Sequence, residues 1–116
     1  MRFLALACLI CCLPGCAPSH RVVVHGVDVS LSLQAPEARR VQFACSADRF
    51  ILREASRDRD GLWTIEIGNV ADREFQYFFV VDGAPHTPDC RFRQNDDFGA
   101  ANCLYLPWAE VARADR

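Results

Sequence analysis

After residue 20 the chain is built of short runs in which apolar and polar residues alternate with a period of two, each closed by a turn signal. Val27-Asp28-Val29-Ser30-Leu31-Ser32-Leu33 is one such run, ended by Ala35-Pro36. Successive side chains of a strand point to opposite faces, so this period marks a strand with one buried face. After the turn at 37–40, Val41, Phe43 and Cys45 share the next buried face. Trp63, Ile65 and Ile67 form a third run, opened by Asp60-Gly61 and closed by Gly68-Asn69. Phe75, Tyr77, Phe79 and Val81 form a fourth, which leaves Gln76, Phe78 and Val80 facing outward. Asp82-Gly83 then reads as a hairpin turn, because both residues tolerate positive φ. A last strand over 103–106 is stopped by Pro107. Several short strands with turns between them and no helical period predict an all-β, antiparallel sandwich.

Ahead of the strands, Arg2 is followed by an apolar run from Phe3 to Leu13. A membrane-spanning helix needs roughly 20 apolar residues, so this run reads as a cleaved secretory signal. It ends in Leu13-Pro14-Gly15-Cys16, which resembles the lipobox of bacterial lipoproteins, with Pro14 a departure from the usual small or β-branched residue. The resemblance implies cleavage before Cys16 and acylation there, and two or more acyl chains anchor a protein stably to a membrane. Ala17, rather than Asp, follows the cysteine, which in such lipoproteins does not signal inner-membrane retention. The expected address is therefore the bacterial cell envelope, lipid-anchored in the outer membrane; an ordinary cleaved signal, giving a periplasmic or secreted protein, is the alternative. With 116 residues in all, one small domain fits. The expected organisation is a signal peptide over 1–15, a tether over 16–26, the sandwich over 27–107 and a tail over 108–116.

Charge narrows the partners. The 13 basic residues are all arginine and the formal net charge is -2, with no basic stripe of the kind that tracks phosphates, so nucleic acid is not expected as a ligand. Of the seven cysteines, three lie inside the signal and Cys16 is the lipid site, leaving Cys45, Cys90 and Cys103. Their spacing gives no CxxC and no Cys/His cluster, and an oxidising compartment favours one disulfide and one buried thiol. Asp58, Asp60 and Gly61 match part of a calcium loop, but the later ligands and closing Glu are missing, so a solvated turn is expected. Asp89, Asp96 and Asp97 are interspersed with Arg91 and Arg93, which favours local ion pairing over a cation site. His20, His25 and His86 are scattered, no serine lies in Gly-x-Ser-x-Gly, and Cys45 has no nearby base. Neither a catalytic set, a metal site nor a cofactor is expected.

In order and spacing, VSLSLQAPEARRVQFACSADRF, RDRDGLWTIEI, EFQYFFVVDGAPHTPD and NDDFGAANCLYL resemble the glycogen-recognition domain of the AMP-activated protein kinase β subunit and the early-set domain of isoamylases and branching enzymes. The similarity covers about 27–106. It implies an immunoglobulin-like early-set β-sandwich, non-catalytic, that in some members holds α-glucans on aromatic platforms with a Lys and an Asn bonding sugar hydroxyls. Carried over by position, the first platform Trp falls on Phe50, the Lys on Phe78, the second Trp on Pro85 and the Asn on Cys103, with Asn102 one residue earlier. Phe50 alone keeps its aromatic character. The resemblance also sets the segment after the Asp82-Gly83 hairpin beside the closing strand, which implies a Cys90–Cys103 disulfide and leaves Cys45 a buried free thiol. The candidate ligand face is Phe50, Gln76, Phe78, Val80 and Asn102, unless a terminal segment, 21–25 or 108–116, covers it. Two functions fit: a carbohydrate-binding envelope lipoprotein, with α-glucan or another glycan as partner, or an envelope protein-interaction or structural module whose sugar-binding residues have been lost.

Overall fold

A computed structural model describes residues 19–95 and 99–114, the side chains of 111–114 excepted. The signal peptide, Cys16, Asp96 and Asp97 lie outside the described residues.

The chain is a sandwich of two antiparallel sheets. One contains β1 (His20–His25), β2 (Asp28–Gln34), β6 (Leu62–Ile67) and β5 (Ser56–Arg57), in that spatial order. The other runs β4 (Arg53–Glu54), β3 (Val41–Cys45), β7 (Phe75–Val81), β10 (Ala101–Tyr105) and β9 (Arg93–Asn95), with β8 (Ala84–His86) pairing to β7 beyond the hairpin turn. A helix, α1 (Pro107–Ala114), follows the last strand.

Register places every alternating apolar set on the inner faces. In the first sheet Val29 opposes Ile67, Leu31 opposes Ile65 and Leu33 opposes Trp63. In the second, Val41, Phe43 and Cys45 oppose Val81, Phe79 and Tyr77, while Cys103 and Tyr105 oppose Tyr77 and Phe75. Phe43, Phe75, Tyr77 and Phe79 are essentially fully buried, each such side chain stabilising the fold by about 1.5–3 kcal/mol. Their rings pack edge-on or tilted, with Phe75 stacked on Tyr105 at 4.7 Å between centroids. Shifting any of these strands by one residue would turn its whole apolar set to solvent, which fixes the register.

The loops are closed by their own polar groups. Asp82 (φ 49) and Gly83 (φ 85) both adopt the left-handed conformation that the turn requires, and the Asp82 carboxylate accepts the backbone N–H groups of Arg39 and Arg40 at 2.8 and 2.9 Å. Gly61 (φ +79) lies so close to Pro36 that a Cβ there would meet the proline Cα at 2.5 Å. The Asp58 carboxylate accepts the N–H groups of Asp60 and Leu62, both at 2.9 Å, so it closes a turn as expected. Cys90 and Cys103 form the disulfide, and Cys45 is free and buried.

Three segments differ from expectation. His20–His25, read as tether, is a strand pairing with β2 along its whole length. Residues 107–114, read largely as tail, form α1: Pro107 ends the strand by opening a helix, a position where its missing N–H costs nothing. The closing strand starts at Ala101, two residues before expectation, because Ala101 and Asn102 pair with β9.

Candidate functional site

The outer face of the second sheet carries the residues singled out above. Directly opposed residues in antiparallel strands share a face, so β7 sets Gln76, Phe78 and Val80 beside Gln42 and Ala44 of β3, Pro85 of β8 and Leu104 of β10. Asn102 and Gln94 extend the same face across β10 and β9. Opposite Phe78, β3 offers only the methyl of Ala44, and so small a neighbour leaves the Phe78 ring open to Phe50.

Phe50 reaches that position through an uncommon backbone. After the 3₁₀ turn Ser46–Asp48, Arg49 (φ 63) and Phe50 (φ 61) are both left-handed, at a cost of about 1–3 kcal/mol each for residues bearing a Cβ. The Phe50 N–H bonds to the Cys45 carbonyl at 2.8 Å, and Arg53 Nε holds the Asp48 carboxylate at 2.6 Å. The Ser46 hydroxyl oxygen accepts the Gln76 N–H at 2.9 Å, pinning the loop to β7. The outcome is a ring 41% exposed and stacked on Phe78, centroids 6.0 Å apart and planes 25° apart. Ile51 and Leu52, next in the chain, are also exposed.

Amides surround the ring pair. Asn102 Nδ2 donates to Gln76 Oε1 at 3.3 Å, and Gln42 Nε2 donates to Glu54 Oε1 at 3.1 Å. Arg40 also bonds Glu54 through Nε at 2.9 and 3.1 Å, and these bonds hold the Glu54 carboxyl below the usual carboxylate range. A primary amide both donates and accepts, so the surface matches hydroxyl groups better than ions.

Of the five candidate face residues, Phe50, Phe78, Gln76 and Asn102 come together. Val80 does not join them as a displayed side chain: it is only 9% exposed, flanked by Gln42 and Pro85. Neither described terminal segment is placed as a cover, since β1 belongs to the other sheet and α1 packs against β1. Gln42 and Gln94 escaped the sequence reading. The alternation around Phe43 marks Gln42, whereas nothing in RFRQN marks Gln94 as a strand residue. Cys103, where the resemblance places the ligand Asn, points into the core, fully buried in its disulfide.

Elsewhere, burial pushes the Cys45 thiol up and keeps it protonated. Among the described residues there is no cluster of His, Cys, Asp and Glu able to hold a metal ion, and no helix long and apolar enough to cross a membrane.

No known protein family matches the sequence, and no curated protein matches it. Among solved structures, the chain is similar to the crystal structure of GBS pullulanase SAP in complex with maltotetraose, with TM-score 0.52 and 14% sequence identity. That similarity covers 78% of this chain and 14% of the pullulanase chain, so the shared part is the sandwich fold.

Proposed function

We propose that the chain is a non-catalytic carbohydrate-binding domain, carried on a lipoprotein of the bacterial envelope and binding an α-glucan or another neutral glycan through the outer face of its second sheet. The observation that carries this reading is the Phe50–Phe78 stack, held out by a strained loop and ringed by Gln76, Asn102 and Gln42. Aromatic faces bury the C–H faces of sugars, and a few well-placed polar groups fix orientation. Relatives present a second platform at the position of Pro85; here Phe78 supplies the second ring, and the amides take the role of the missing lysine. The likeness in fold to a pullulanase solved with maltotetraose supports the same reading.

Sedimentation with insoluble starch and with glycogen tests it. The protein should co-sediment, and Phe78→Ala should weaken retention at least tenfold. An absence of retention on these and on other neutral polysaccharides would favour the second function, a protein-interaction module, for which exposed Ile51 and Leu52 beside Phe50 extend an apolar ledge. The address is tested separately by mass spectrometry of the mature N-terminus. An acylated Cys16 is expected; an unmodified Ala17 or a retained Met1 would rule out the lipoprotein.

A further inference from the structure

Where β1 and β10 part at the side of the sandwich there is a cavity of about 280 Å³, distinct from the outer face. Tyr77 and His20 are among its lining residues. His20 Nδ1 donates to the Ser32 carbonyl at 2.8 Å, so Nε2 is left as the acceptor of the Tyr77 O–H at 2.5 Å. With its proton committed to His20, the Tyr77 oxygen offers the cavity an acceptor lone pair. Glu110 of α1 lines the space with a second acceptor, and Arg91 lines it with a donor.

The remaining walls are apolar. Val22 contributes from β1 and Phe92 from the segment that the disulfide holds. The Phe92 ring lies 6.0 Å from that of Trp108, which is 67% exposed, the most exposed large apolar side chain among the described residues. Arg91 lies over the Phe92 ring at 5.1 Å. Mixed charge in the lining opposes either kind of ion: Asp89 and Glu110 disfavour an anion, and Arg91 disfavours a cation. At roughly 30 Å³ per water the space holds about nine waters, enough for one sugar ring and not for two.

From this arrangement we propose a second ligand site, taking a single neutral sugar ring whose hydroxyls bond Glu110, Tyr77 and Arg91 while its C–H face meets Phe92. It lies within the sandwich seam, not on the Phe50–Phe78 face, and does not depend on that face binding glycan.

Titration of the full chain with D-glucose, D-mannose and D-galactose, by calorimetry and by tryptophan emission, tests the site. Trp63 is 7% exposed and its Nε1–H is bonded to the Ala35 carbonyl at 2.9 Å, so emission changes report on Trp108. Saturable binding of at least one hexose is expected, weakened threefold or more in Glu110→Gln and in Phe92→Ala. Phe92→Ala truncates a wall residue outside the buried core cluster and keeps the test open should Glu110→Gln fold poorly. No saturable binding of any of the three sugars, or less than a threefold loss in Phe92→Ala, would overturn the proposal. Polysaccharide sedimentation reads the outer face separately, so failure at one site leaves the other standing.

Discussion

Phe50 holds a bulky ring in a backbone conformation that glycine adopts freely (φ 61). The ring is well exposed and stacks on Phe78, so little of the fold depends on it. Phe50→Gly should therefore relieve strain and remove a surface stack in nearly equal measure. The expected result is a melting temperature within a few degrees of the parent with at least tenfold weaker retention on polysaccharide; a large fall in stability would make the ring structural. At this scale the site was legible in part. Alternation around β7 gives the directions of Gln76 and Phe78, and around β3 that of Gln42. It does not report what lies alongside, and so it overstated the display of Val80, which Gln42 and Pro85 flank. The left-handed pair Arg49-Phe50 carries no glycine, asparagine or aspartate, and hence no sequence signal of its geometry.

Among the elements, β2, β3, β6 and β7 were readable because each has one buried face and a clear stop. His20–His25 was not, since a run of three valines between polar residues carries little period and Gly26 is its only punctuation. The two-residue strands β4 and β5 are too short for any period, and Pro107 hid α1 by serving as a helix start. The placement of β1 has a measurable consequence, because it buries His20 between Ser32 and Tyr77. Burial lowers the His20 pKa below its ordinary 6.5, with the bond to Ser32 partly opposing. The folded state thus holds His20 neutral, while the unfolded chain takes up a proton as pH falls below about 6.5. This contribution is fully present above that pH and is lost as pH falls towards the lowered folded value. Urea midpoints measured from pH 7.5 down to 5 should fall, and His20→Gln should flatten that part of the profile. An identical slope in the variant would place the acid sensitivity elsewhere.

The whole molecule is a domain near the lower size limit for a self-sufficient core, so one covalent tie matters. The Cys90–Cys103 disulfide closes 13 residues of separation, and in the chain-entropy picture such a loop stabilises the fold by about 3 kcal/mol. For a domain of this size 1 kcal/mol moves the melting temperature by roughly 4–8 °C, so reduction should lower it by roughly 12–24 °C. Cys103 enters from the buried face of β10, while Cys90 brings in the segment bearing Arg91 and Phe92. The same bond therefore supports the wall of the seam cavity. Two backbone-directed contacts hold that segment independently, Thr87 Oγ1–H to the Ala101 carbonyl at 2.8 Å and Leu104 N–H to the Phe92 carbonyl at 2.9 Å. Melting in the presence and absence of reductant, with native alkylation as a parallel count of accessible thiols, separates the contributions. The expected outcome is a large shift on reduction and no labelling of Cys45 before unfolding, since that thiol is buried and protonated. A shift below about 5 °C would mean that the hydrogen bonds, rather than the disulfide, keep the segment in place.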